Sequence, residues 1–132
     1  MTEEEVRKRL DASGVLKEFP GLDVRIVKGF LNKTLPHFPA RPIALLHIDV
    51  DLYVGYRDAL KYLFPKVVPG GVVAFDEYRE FPRDHGGATY GNGTIEKWPG
   101  CTKAIDDYFA NRTETLQYHP ETKKYYAVKK KK

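Results

Sequence analysis

Apolar positions along the chain change period several times, and each change marks an element. Thr2 to Glu5 has the form of a capping box, with Thr2 as N-cap and Glu5 at the third helical position. Val6 and Leu10 follow on one face, and Gly14 supplies a stop. A short surface helix is expected there. Val24–Lys28 is β-branched and bounded by Gly21 and Gly29, the pattern of a strand. Phe30–Leu35 has room for one helical turn before Pro36, and Pro36, Pro39 and Pro42 mark a loop. Ile43–Asp49 is almost continuously apolar, as in a strand buried on both faces of a parallel sheet. Tyr56, Ala59, Leu60 and Leu63 then fall on one helical face.

Pro69, Gly70 and Gly71 read as a tight turn leading into a second buried strand, Val72–Phe75. Strand, helix and strand in so short a span predict a βαβ unit with parallel strands and a right-handed crossover. From Arg79 to Gly100 the chain is glycine-rich and poor in aliphatics. A loop of that length is either functional or mobile. A further helix is expected at Thr102–Ala110, with Ala104, Ile105, Tyr108 and Phe109 inward. Thr115–His119 and Lys124–Val128 read as two strands joined through residues 120–123 in a hairpin. The pattern as a whole predicts an α/β fold: a parallel βαβ unit, a further helix and a C-terminal antiparallel hairpin.

Composition narrows the function. The chain has 132 residues, 42% of them apolar and 30% charged, which suits one globular domain. Its net charge of +4 comes entirely from the lysine tail, Lys129–Lys132. The body is neutral, so the sequence points to no nucleic-acid partner. A block of like charge is expected to be solvated. No apolar run approaches the roughly 18 residues that span a membrane, and the charged N-terminus does not resemble a signal peptide. A lone cysteine, Cys101, excludes an internal disulfide and a cysteine zinc site. The expected compartment is the cytoplasm. All three asparagines, Asn32, Asn92 and Asn111, lie in N-x-T triplets, read here as chance.

The candidate chemistry lies at strand ends. Asp49 closes the first buried strand and Asp76 the second, and ligands of open α/β sheets bind outside the carboxyl ends of strands. Asp51 and Glu77 add two acids at the same edge. If the strands pair directly, these carboxylates crowd together and repel unless a cation neutralises them. Oxygen donors without thiols suit Mg²⁺ or Ca²⁺. Acids after strands also serve as turn formers and helix caps, so both readings stand at this point. His47, inside an apolar strand, reads as a core histidine. His85 reads as a loop surface residue, Cys101 as structural and Tyr56 as core. Tyr53, Tyr78 and Tyr90 could line a pocket near the acids. Pro69, Gly70 and Gly71 precede a strand rather than a helix, so they form no phosphate cradle, and no G-x-G-x-x-G occurs.

Several segments in order resemble the macrocin O-methyltransferase family. They are Val27-Lys-Gly-Phe-Leu-Asn-Lys-Thr-Leu-Pro36, Leu46-His-Ile-Asp-Val-Asp-Leu-Tyr53, Arg57-Asp-Ala-Leu60, Pro69-Gly-Gly-Val-Val-Ala-Phe-Asp-Glu-Tyr78 and Trp98-Pro-Gly-Cys-Thr-Lys-Ala-Ile-Asp-Asp-Tyr-Phe109. The resemblance spans about residues 22 to 128. It implies a class I S-adenosylmethionine-dependent methyltransferase that moves a methyl group to a hydroxyl of a sugar or natural product, with Mg²⁺ at the site. It implies metal ligands at Asp49, Asp76 and Glu77, although the family usually has Asp where this chain has Glu77. It places Gly29 and Phe30 near the cofactor adenine, with Asp49 also on the cofactor side. Asp49 and Asp51 are then the catalytic candidates. Asp51 stands in for the base, because the position of the lysine in catechol-type relatives holds Leu52.

The resemblance also implies an incomplete Rossmann-like sheet, mostly parallel with a C-terminal antiparallel hairpin and helices on its faces, because it implies a missing N-terminal half that carries the glycine loop and the first two strands of a sheet ordered 3-2-1-4-5-7-6. The expected organisation is one methyltransferase-like domain over residues 1–128, lacking that cofactor-binding βαβ, and a basic tail at 129–132. Ile43–Asp49 corresponds to the family's fourth strand, whose neighbour would be absent. An exposed edge, a transposed Val24–Lys28, or pairing with another copy or a partner chain would follow. The alternative to an enzyme is a non-catalytic metal-binding or interaction module acting through that edge.

Overall fold

The computed structural model describes residues 2–80 and 96–131. The chain forms two compact units, residues 1–30 and 31–132.

The first unit is helical at its start. Helix α1 spans Glu3–Ala12 and closes with the expected capping box: Glu5 N donates to Thr2 Oγ1 at 3.2 Å, and Thr2 N donates to Glu5 Oε2 at 2.6 Å. Gly14, at φ 76, lies in the left-handed region that a helix stop favours. Helix α2, Val15–Glu18, follows. Val24–Lys28 is not a strand: it has no ladder partner, and Val27 is 70% exposed. A β-branched run makes a strand only where a neighbour takes up its backbone groups, and among the described residues no strand pairs with this segment.

The second unit carries the sheet. A helical turn, α3 (Leu31–Thr34), and a 3₁₀ turn at Leu35–His37 bring Leu35 into the core. Strand β1 is Ile43–Ile48, helix α4 is Tyr53–Leu63, and strand β2 is Val67–Phe75. Helix α5 is Pro99–Phe109, and strands β3 (Gln117–His119) and β4 (Lys124–Val128) form the hairpin. The sheet order is β1-β2-β4-β3. β1 and β2 are parallel, whereas β4 runs antiparallel to both β2 and β3. The βαβ unit and the hairpin are therefore as expected.

One face of this sheet holds the core. Leu46 and Ile48 from β1, Val73 and Phe75 from β2 and Ala127 from β4 are buried with Tyr56, Leu60, Phe64, Ile105 and Phe109. Phe64 and Phe75 meet the Phe109 ring edge-on at centroid distances of 5.3 and 5.9 Å, a favoured aromatic arrangement.

β1 departs from the expected double burial. Leu45 is 65% exposed and His47 is exposed, alternating with buried Leu46 and Ile48. The reason is that the core packs on one face of the sheet, and alternation follows from that, as it does in β2, where Val73 and Phe75 are buried and Val72 and Ala74 less so. His47 is accordingly not a core residue. The presumed turn at residues 69–71 is also different. All three residues lie within β2, where the β1 register shifts between Ile43 and Leu45. Gly70 takes φ 83, and Gly71 is pressed against β1, where a Cβ would come 3.0 Å from Ala44 O.

The basic tail is not wholly solvated. Lys129 extends the β2–β4 pairing, donating its N–H to Gly71 O at 2.8 Å and accepting from Gly70 N at 2.8 Å. Its Nζ lies 4.0 Å from the Phe64 ring centroid, a cation–π contact. Lys130 Nζ donates to Thr113 O.

Candidate metal and active site

Sheet register builds the site. Ile48 pairs with Phe75, and Asp76 N continues the ladder by donating to Ile48 O at 3.0 Å. The next residues on the two strands are Asp49 and Asp76. Side chains alternate along a strand, so His47, Asp49, Ala74 and Asp76 share the face away from the core, while Glu77 turns inward. One carboxylate oxygen each from Asp49, Asp76 and Glu77 lie within 4.8 Å of one another. Asp49 is exposed, Asp76 half-buried and Glu77 buried.

Their environments differ. Tyr56 Oη donates to Glu77 Oε2, and Asp76 N and Glu77 N each donate to Tyr56 Oη at 3.2 Å. Burial pushes the Glu77 carboxyl up to about 7, and the neighbouring Asp49 and Asp76 push the same way, against the Tyr56 hydrogen bond. Burial and Glu77 likewise raise the Tyr56 phenol. Asp76 has an ammonium and an imidazole beside it. Lys124 Nζ lies 3.1 Å from Asp76 Oδ2 and 2.8 Å from its carbonyl oxygen, and His47 Nε2 lies 3.5 Å from Asp76 Oδ1.

Three hard oxygen donors with no thiol among them form a donor set that fits Mg²⁺ or Ca²⁺. The cluster thus fits the cation on the chemistry of its residues.

The other predicted residues fall elsewhere. Asp51 lies in the turn after β1, at φ 55, where Leu52 N donates to Val50 O at 2.6 Å across it. Its charge helps raise the thiol of fully buried Cys101 to about 12, after burial itself. Gly29, at φ 146, and Phe30 belong to the first unit. Tyr53 OH lies 3.4 Å from Asp107 Oδ2, and Tyr78 OH donates to Asp106 Oδ1 at 2.7 Å. His85 and Tyr90 lie outside the described residues.

Residue-level reading of the sequence missed Lys124 and undervalued Tyr56 and His47. The β2–β4 register pairs Phe75 with Tyr125, so one further step sets Lys124 beside Asp76. The hairpin was legible and the family's strand order set it beside β2, but the register that brings Lys124 to Asp76 was not.

A parallel βαβ with acids at its strand ends, an antiparallel hairpin and helices on one face define a class I S-adenosylmethionine-dependent methyltransferase fold. Comparison with known proteins narrows this. The family model for macrocin O-methyltransferase (TylF) matches residues 1–86, and the chain belongs to that family. It is 34% identical over 110 residues to demethyldecarbamoylnovobiocin O-methyltransferase of Streptomyces niveus, an alignment covering 83% of this chain and 34% of that protein. Over 75 residues it is 37% identical to the 8-demethyl-8-(2,3-dimethoxy-alpha-L-rhamnosyl)-tetracenomycin-C 4'-O-methyltransferase of Streptomyces olivaceus, covering 57% and 27%. The structure of the O-methyltransferase NovP superposes with a TM-score of 0.75 at 28% identity, covering 99% of this chain and 46% of that one. The chain thus spans about a third of the length of the curated relatives it matches. Among the described residues, no helix is long and apolar enough to cross a membrane.

Proposed function

We propose that these residues serve S-adenosylmethionine-dependent, Mg²⁺-assisted methyl transfer to a hydroxyl of a sugar or natural product. The observation that carries this reading is the convergence of Asp49, Asp76 and Glu77 at adjacent strand ends in a chain of this family. The names of the relatives, one of them acting on a rhamnosyl group, support a glycosylated small molecule as acceptor.

Methyl transfer asks the protein chiefly to align a sulfonium with an oxygen and to ease loss of the hydroxyl proton. A divalent cation in the cluster supplies charge that lowers the acceptor's pKa and orients it. Asp49, Asp76 and Glu77 would hold that cation. Lys124 flanks Asp76 and limits the net negative charge there, with the His47 ring beside the same carboxylate. Asp51, two residues beyond Asp49, is the candidate to receive the proton. Gly29 and Phe30 are assigned to the cofactor adenine, as their place in the family motif suggests. Incubation with methyl-labelled S-adenosylmethionine, Mg²⁺ and deoxysugar-bearing acceptors tests this. Label transfer lost in Asp49→Asn and Asp76→Asn supports it, and transfer indifferent to both substitutions and to chelator refutes the metal-assisted form.

A second reading has its own observation. Among the described residues, β1 has a ladder partner on one side only, and Leu45 on it is 65% exposed. An open edge of this kind accepts another strand, so a second copy or a partner chain could dock there without catalysis. Sedimentation equilibrium separates the two: a stable dimer with no cofactor binding favours the module.

A further inference from the structure

Tyr56 is fully buried on α4, and its ring packs 6.3 Å from that of Phe75. A phenylalanine would do the same. The hydroxyl does something separate, because all its polar neighbours lie at the two strand ends that form the site. It lies 2.9 Å from Ile48 O on β1, accepts from Asp76 N and Glu77 N just after β2, and meets the Glu77 carboxylate. A phenol offers one proton and two lone pairs. The two N–H groups occupy the lone pairs. Ile48 O and the Glu77 carboxylate both lie within reach of the one proton, and the carboxylate is the stronger acceptor.

We propose that Tyr56 is a positioning residue: its hydroxyl ties the end of β1 to the end of β2 and aims the Glu77 carboxylate at Asp49 and Asp76, and so sets the affinity of the cluster for a divalent cation. The inference rests on the metal-site reading above and adds to it a residue that touches neither cation nor substrate. Groups that orient metal ligands typically contribute about 10–100-fold in affinity.

The test uses the full chain and two readouts on Tyr56→Phe. Amide exchange at Asp76 and Glu77 should speed by about tenfold relative to Leu46 and Val73, as expected when one buried hydrogen-bond partner is removed. Mn²⁺ affinity, read by electron paramagnetic resonance, should fall by about 10–100-fold. The core control Ile105→Val should leave Mn²⁺ affinity unchanged. Unchanged exchange at Asp76 and Glu77 overturns the proposal, as does faster exchange with unchanged Mn²⁺ affinity. If the wild type takes up no Mn²⁺ that Asp49→Asn removes, the metal reading itself fails, and exchange alone decides whether the hydroxyl holds the strand ends. Should Tyr56→Phe not fold, the wild-type Tyr56 hydroxyl proton offers the same decision. Its NMR resonance should shift on adding Mg²⁺, and a resonance that stays fixed overturns the claim.

Discussion

Lys124 reaches from the first residue of β4 to Asp76, just beyond the end of β2, and its ammonium contacts both the carboxylate, at 3.1 Å, and the backbone carbonyl, at 2.8 Å. Both side chains are about two-thirds buried, so water screens the pair less than a surface pair. Lys124→Met removes the positive charge nearest to three crowded carboxylates. It should cost about 1–2 kcal/mol at pH 8. Urea denaturation checks this, and the loss should shrink at pH 5 or with Mg²⁺ present. A loss independent of pH and Mg²⁺ would mean that Lys124 only pins the hairpin.

Glu77 links stability to pH. Its folded-state carboxyl is raised from 4.5 to about 7, so the folded state holds more protons than the unfolded state between those values. Stability is therefore full below the lower value and declines as pH rises through the upper one. Cation-free protein should lose on the order of 2 kcal/mol between pH 5 and pH 8. Glu77→Gln should flatten this slope, and Mg²⁺ should restore stability at pH 8. Chemical denaturation across pH decides it, and a stability that rises over this range contradicts the assignment.

The two faces of the sheet should respond unequally to truncation. Ile105 is fully buried beneath the core face, and Ile105→Ala should cost about 2–5 kcal/mol. Leu45 is 65% exposed on β1, and Leu45→Ser should stay within about 0.5 kcal/mol. A large loss at Leu45 would show that its face is covered in solution, and light scattering of the two proteins would then reveal whether a second copy covers it.

Gly71 gives a steric test. A Cβ there would come 2.8 Å from Val67 Cγ1, 2.9 Å from Val68 O and 3.0 Å from Ala44 O. Two of these are backbone atoms, which do not turn aside. Gly71→Ala should cost about 1–3 kcal/mol by overpacking, measured by thermal unfolding, whereas Leu45→Ser serves as the neutral neighbour.

How far the sequence could be read depended on the reach of each interaction. The capping box at Thr2 and Glu5 and the helix that contains Tyr56 are local patterns, and both were legible. So was the placing of Asp49, Asp76 and Glu77 at one edge, because a βαβ unit constrains its own two strands. Residue pattern left metal binding and turn forming open, and the family motif favoured metal. Three features depended on partners distant in sequence. Val24–Lys28 looks like a strand but lacks a neighbour. His47 sits in apolar sequence but faces outward, because its place in the strand alternation turns it to the sheet face opposite the core. Lys124 enters the site only through the β2–β4 register, which no local pattern specifies.

The most direct measurement is calorimetric titration of Mg²⁺ into the wild-type chain and Asp49→Asn at pH 8, with thermal unfolding to confirm that both fold. Asp49 is exposed, so the substitution should leave the fold intact. A metal centre at the strand ends predicts saturable single-site binding in the wild type and none in the variant. Identical titrations in two equally folded proteins would contradict it.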